Sequence, residues 1–239
     1  ELRAAGLGPP VLAAQVRRLR RLVSRLRPRG PHSAWSRYQD NSPYSLDDLA
    51  AKDAFVRSVA AQRRRRQVLD LGANDGRFAV FALDHADQVV AVDADDVSVD
   101  RLYRSRRDGT DQRLIPVRAD LTDLSGGRGW AGRQRRPLIE RVDPDLTMMM
   151  AIVHHLAITE AVPFEAIVDL LAALGSEVVI EFAKPTDPMV TRLLRRKRGR
   201  DFPYDEALFE SAVKQRFDVV DRQELPHLTR ALYHLRPRR

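Results

Sequence analysis

The 239-residue chain contains no cysteine. That absence excludes disulfides, thiolate zinc sites and cysteine nucleophiles, and it is compatible with the cytoplasm, the location expected here. Apolar stretches of bilayer length are missing too. A membrane helix needs roughly 18 or more apolar residues in a row, whereas runs such as Met148–Val153 are strand-sized, so no transmembrane segment is expected. Nor does the start read as a secretory leader, because arginine is spread through it instead of preceding an apolar core. The first residue is Glu1 rather than Met, and a trimmed N-terminus with a further domain upstream is the expectation.

A cationic body is also lacking, despite a net charge of +8. Residues 1–30 hold Arg3, Arg17, Arg18, Arg20, Arg21, Arg25, Arg27 and Arg29 against Glu1 alone, which leaves the rest of the chain nearly neutral. A nucleic-acid enzyme would continue its positive footprint over the folded face. A second basic run, Arg192, Arg195, Arg196, Lys197, Arg198 and Arg200, is offset nearby by Asp201, Asp205, Glu206 and Glu210 and reads as a solvated helix end. It also offers a way to steer a phosphate- or carboxylate-bearing acceptor.

What is present is an ordinary globular apolar fraction of 44% and a length that suits one α/β domain with a short extension. Leu12, Val16, Leu19, Val23 and Leu26 recur at helical spacing, so Val11–Leu26 is expected to form an amphipathic helix with arginines opposite, ended by Pro28 and Gly30. The first 44 residues thus read as a basic helical arm and an aromatic linker carrying Trp35, Tyr38 and Tyr44, with residues 45–239 as the main domain. Ser45 with Asp47 and Asp48 starts a second helix, expected to run toward Arg66. Strand-like segments follow at Gln67–Leu71, Gln88–Val92, Leu114–Val117, Leu146–Met150 and Val178–Phe182, separated by helical or loop stretches. This alternation predicts a parallel sheet with crossover helices. Phe217–Asp221 and Ala231–Leu235 are joined by a loop alone and predict a closing hairpin.

The strongest local pattern is Val68-Leu69-Asp70-Leu71-Gly72-Ala73-Asn74-Asp75-Gly76-Arg77-Phe78, an apolar strand entering a glycine-bearing turn and then a helix. Gly72 is expected to let the backbone pass close to a ligand, and Asn74 to tolerate a left-handed conformation. Gly76 is expected to let the next helix lie tightly on the strand. The dinucleotide fingerprint G-x-G-x-x-G is not met, and Asp75 would oppose a pyrophosphate. Two more acids stand at strand ends. Asp93 closes Val89-Val90-Ala91-Val92 and can accept from both hydroxyls of a ribose; Ala94 follows it. Asp120 follows Ile115-Pro116-Val117-Arg118-Ala119 and can accept from an adenine amino group while Leu121 covers the base. Asp70 can accept from an ammonium.

Residues 67–124 resemble the cofactor motifs of the class I S-adenosylmethionine (SAM) dependent methyltransferases. The resemblance extends over about residues 31–236 through Lys52, Phe55 and Val56, Gly129-Trp130, Ile152-Val153-His154-His155-Leu156, Glu181-Phe182 with Asp187-Pro188-Met189-Val190, and Arg230-Ala231-Leu232-Tyr233. In these it is similar to a bacterial group labelled nodulation-type or natural-product methyltransferases, many of which carry a long upstream region. The resemblance implies a Rossmann-like α/β sheet of order 3-2-1-4-5-7-6 with strand 7 antiparallel. It also implies SAM as cofactor and S-adenosylhomocysteine (SAH) as product, with Asp70, Gly72, Ala73, Asn74, Gly76, Asp93, Ala94, Asp120 and Leu121 as the binding set. The centre Ala73-Asn74-Asp75 departs from the family's glycine-rich turn, which bears on turn geometry more than on the cofactor.

His154 and His155 lie just past the fourth strand, where acceptor and methyl group should meet, and a neutral imidazole there can take a hydroxyl proton. Adjacent side chains diverge, so one at most is expected to face the acceptor, with His155 preferred. Glu181, near the end of the fifth strand, can orient a histidine or bind an acceptor hydroxyl, or else pair with Lys184. No third ligand lies close in sequence to the two histidines, so no metal site is expected. The reading is O-methylation of a small-molecule or sugar hydroxyl. Its competitors are an RNA methyltransferase using the basic arm, a SAM-binding protein without turnover, and a nicotinamide enzyme, the last disfavoured by Asp75.

Overall fold

The computed structural model describes residues 8–26, 44–107, 112–124, 126, 129–197 and 203–238. Contacts divide the chain into two compact units, Glu1–Ser33 and Ala34–Arg239. The first contains helix α1, Pro9–Arg25, which begins two residues before the expected point because proline is tolerated in a first helical turn. Its apolar stripe is exposed, from 42% at Val11 to 69% at Leu26. The expected stop signals Pro28 and Gly30, the linker residues Trp35 and Tyr38, and Arg198 and Arg200 lie outside the described residues.

In the second unit, α2 spans Leu46–Ala60, and Ser45 caps it through the reciprocal bonds of a capping box with Asp48. The helix stops six residues short of Arg66, because Arg65 and Arg66 already belong to strand β1, Arg65–Leu71. Arg65 is fully buried there, bonded to Glu177 at 2.8 Å. The chain continues through α3 (Arg77–Ala82), β2 (Ala86–Asp93), α4 (Asp96–Arg107), β3 (Leu114–Arg118), β4 (Leu146–Met149), α5 (Phe164–Ala173), β5 (Glu177–Ala183), α6 (Pro188–Arg196), α7 (Glu206–Arg216), β6 (Phe217–Glu224) and β7 (Arg230–Pro237). Each expected strand is present, β4 a residue shorter than its expected run and the others one to three residues longer.

The seven strands form one sheet of order β3-β2-β1-β4-β5-β7-β6. The pairs among β1 to β5 are parallel, and β7 runs antiparallel between β5 and β6. Successive side chains of a strand point to opposite faces, and the core divides accordingly. Leu69, Val90, Val92, Met149 and Ile180 pack on one face with Ile167 and Leu171 of α5 and Phe209 and Val213 of α7. Val68, Val89, Ala91, Met148 and Val179 pack on the other with Phe55 and Val56 of α2, Ala79 of α3 and Leu102 of α4. Near-continuous apolar strands are what two covered faces require. The arrangement leaves the carboxyl ends of β1 to β5 on one edge, the place where open α/β sheets bind ligands. No helix among the described residues is long and apolar enough to cross a membrane.

Candidate active site

The turn after β1 is fixed by three left-handed residues, Gly72 (φ +79°), Asn74 (φ +48°) and Gly76 (φ +82°). Asn74 adopts the conformation expected of it, and its side-chain oxygen accepts from the Asp75 amide at 2.9 Å. A Cβ on Gly72 would lie 2.3 Å from Cγ1 and Cδ1 of Ile152, so the loop after β4 also requires a glycine here. A Cβ on Gly76 would lie 2.7 Å from Leu102 of α4, so the tight approach is to that helix and not to β1. The amides of Gly72 and Ala73 both donate to the Val92 carbonyl and tie the turn to the end of β2.

Asp93 organises two loops at once. Its Oδ2 accepts from the Asn74 amide at 2.7 Å and its Oδ1 from the Asp95 amide at 2.8 Å. The Ala94 amide bonds the same carboxylate, whose two oxygens offer about four acceptor sites in all. Burial raises the Asp93 pKa, and the bound amides work against the rise. Asp120, at the loop after β3, is exposed, and its Oδ1 accepts from both the amide and the hydroxyl of Thr122.

These residues meet in a cavity of about 320 Å³ lined by Gly72, Asn74, Asp93, Ala94, Asp120 and Leu121 on one side. Met150, Ala151, Ile152, His155, Leu156 and Glu160 line the other. The size is that of a small-molecule site, roughly 300–1,000 Å³. A smaller cavity of about 70 Å³ shares Gly72, Asn74, Met150 and Ala151 with it and adds Ala73, Tyr44 and Lys52. Ala151 turns the chain at φ +58°, and His155 opens a short π-helical turn, His155–Thr159, an irregularity frequent at functional sites.

Four expected site residues line neither cavity. Gly76 is one, for the packing reason above. Asp70 lies behind the turn, 1% exposed. It accepts from the Ala79 amide, but its Oδ2 is buried with no hydrogen-bond partner among the described residues. Burial, reinforced by the charge of Asp93, pushes its pKa up to about 7. His154 is fully buried, and neither ring nitrogen has a hydrogen-bond partner among the described residues. Burial holds it neutral, with its pKa well below the ordinary value. His155, whose ring centroid is 4.2 Å from that of His154, is the one that faces the cavity. Burial and the nearby Arg230 push its pKa down to about 4.

Glu181 is the fourth. Its expected partner Lys184 instead pairs with Glu224 at 2.6 Å and Glu206 at 3.6 Å, and Glu181 turns inward to Lys52 at 2.6 Å and Arg230 at 3.2 Å. Tyr44 donates to it at 2.6 Å and accepts from Lys52 at 2.9 Å and from Arg230. Arg230 also reaches Asp187, the cap of α6, at 2.7 Å. Burial opposes the Glu181 charge, but the two cations outweigh it and hold its pKa at about 2. This closed network beneath the cavity was not anticipated as a unit. Its one local sign is Lys52, placed on the stripe Leu49–Val56–Val59 where helical spacing predicts an apolar residue.

No protein-family model matches the chain. It is 30% identical over 205 residues, 85% of its length, to nodulation protein NoeA of Rhizobium meliloti (strain 1021), and it spans 43% of that protein. Among solved structures it is similar to the N-methyltransferase NodS of Bradyrhizobium japonicum WM9 in complex with SAH, with a TM-score of 0.60 at 10% identity over 87% of this chain and 100% of that one. The magnesium protoporphyrin IX methyltransferase ChlM of Synechocystis PCC 6803 with bound SAH gives a TM-score of 0.53 at 16% identity over 80% of this chain and 85% of that one. The sheet order, the lone antiparallel strand β7 and these likenesses together identify the fold as that of the class I SAM-dependent methyltransferases.

Proposed function

We propose that the chain binds SAM in the 320 Å³ cavity and methylates a hydroxyl of a small molecule or sugar, with His155 taking the proton. The observation that carries the reading is the meeting of Asp93, Asp120 and the Gly72–Asn74 turn on the same cavity as His155. When bound, SAM supplies a methyl group on a sulfonium and leaves as the neutral thioether SAH.

The residues present fit such a ligand. The orphaned Oδ2 of Asp70 is a buried acceptor that suits an ammonium, reached directly or through water. Asp93 on the cavity wall is a carboxylate acceptor suited to a ribose hydroxyl, and Asp120 with Leu121 offers an acceptor and an apolar cover for a purine. Apolar Met150, Ala151, Ile152 and Leu156 keep water from the reacting centre and hold the two reactants in line. His155, with its pKa near 4, is neutral at neutral pH, the form in which an imidazole can take a proton. A weak base suffices, because a hydroxyl proton becomes strongly acidic as its oxygen gains a methyl group. Glu181 and His154 act as positioning residues in this scheme. Glu181 fixes Arg230 and Lys52 behind the site, and His154 is sealed from the acceptor.

The test is transfer of labelled methyl from SAM to a panel of hydroxylated sugars and phenols, comparing wild type with His155→Ala. The variant is expected to lose about 10²-fold or more in kcat, to bind SAH as wild type does, and to recover rate as pH rises. An unchanged kcat and pH profile would remove His155 from the proton step.

A further inference from the structure

We propose that Arg135, Arg136 and Arg141 form a binding site for a phosphoryl group on a small molecule, separate from the cofactor cavity. Between β3 and β4 two described points of the chain are pinned. Gly126 lies so close to Pro137 that a Cβ there would fall 1.9 Å from the proline nitrogen, and Leu138 is buried in the core at 8% exposure. The three arginines on either side of this anchor converge on a cavity of about 130 Å³.

Their guanidinium groups make no ion pair or side-chain hydrogen bond among the described residues, and unlike the other exposed arginines without such a partner they line one cavity together. Arg64 reaches Asp87 at 2.7 Å, Arg216 reaches Asp169 at 2.7 Å and Arg238 reaches Asp218 at 2.8 Å, although all three are exposed. Arg118 also lines the cavity but is committed to Asp96 at 3.0 Å. Three unpaired cations around one concavity repel each other until an anion joins them. Guanidinium forks match the oxygens of a tetrahedral oxyanion, each able to give two parallel hydrogen bonds.

Asp120 and Asp123 line the same cavity, and Asp120 is shared with the cofactor cavity. These carboxylates interrupt the cationic lining and so discourage a long polyanion from crossing the site. That favours a small phosphorylated molecule over an RNA backbone, which needs an extended cationic track.

The experiment is calorimetric titration of the full chain with inorganic pyrophosphate in physiological salt. Wild type is expected to bind at one site with a Kd of roughly 1 mM or tighter. The combined variant R135Q, R136Q and R141Q should weaken binding at least tenfold while keeping its melting temperature and its SAH affinity, so that failure here is distinguishable from failure of the methyl-transfer reading. R192Q with R195Q and R196Q should leave pyrophosphate binding unchanged. The site is refuted if wild type does not bind pyrophosphate, or if the triple variant binds it equally well. It is also refuted if a single-stranded RNA 20-mer binds the same arginines with steep salt dependence while pyrophosphate does not.

Discussion

Replacing Asp70 with asparagine should make the ligand-free protein more stable at pH 8 and leave it nearly unchanged at pH 5. Asp70 is 1% exposed and holds an oxygen with no hydrogen-bond partner among the described residues. Its pKa rises from an ordinary 3.8 to about 7. For an acid whose folded pKa is raised, the native state keeps its proton while the unfolded chain has lost it. Stability therefore falls as pH climbs from about 4 to about 7 and levels off above. About three pK units at 1.36 kcal/mol each give ~4 kcal/mol as the upper limit of that loss. Asparagine removes the charge at similar volume but must place an amide where no acceptor stands, so a gain of ~1–2 kcal/mol at pH 8 is expected. For a chain of this size that is roughly 2–8 °C in melting temperature. At pH 5, where the native carboxyl is protonated, the difference should nearly vanish. The same change should weaken SAH about tenfold or more, since a charge-assisted hydrogen bond contributes about 1.5–3 kcal/mol. Thermal melts at both pH values, with SAH titration at pH 8, decide the matter. Equal shifts at pH 5 and pH 8, or a destabilised variant at pH 8, would refute the account of a carboxylate held ready for a cation.

Other substitutions have signs that follow from the geometry. Glu181→Gln leaves Lys52 and Arg230 short of a buried counter-charge and should cost about 3–5 kcal/mol, read in denaturant melts at pH 7. Because the folded Glu181 pKa is depressed to about 2 from 4.5, its contribution is complete above pH 4.5. Wild type's advantage over the variant should shrink as pH falls from 4.5 toward 2. Gly72→Ala meets both a left-handed backbone and Ile152 at 2.3 Å, and should lose about 2 kcal/mol or more. The double variant with Ile152→Ala should recover the steric part only.

Much of this architecture was legible in the chain because it rests on short-range patterns. Alternating apolar runs and breaks placed all seven strands, and Asp70, Asp93 and Asp120 stood out because each lies at or just past the carboxyl end of a strand. Asn74 could be read as left-handed from its residue type and place in the turn. What could not be read depended on contacts between distant positions. That Ile152 would occupy the Cβ space of Gly72 is announced by nothing local. For Glu181 the sequence offers a histidine, an acceptor hydroxyl or the nearby Lys184 as partners, whereas its partners Lys52 and Arg230 come from α2 and β7, which only the closed sheet brings together. Arg65 and Arg66 looked like the end of a helix, since a strand beginning with two arginines makes sense only when Glu177 and Asp145 are known to receive them.

The central claim is that the cavity at the ends of β1, β2 and β3 binds SAM. Calorimetric titration of wild type and Asp93→Asn with SAH tests it most directly, with melting temperatures showing that both chains are folded. The account predicts one SAH per wild-type chain and a loss of roughly 10- to 100-fold in the variant, the effect of removing charge-assisted acceptors of about 1.5–3 kcal/mol. A folded wild-type chain that takes up no SAH, or a variant that binds it equally well, would contradict the account.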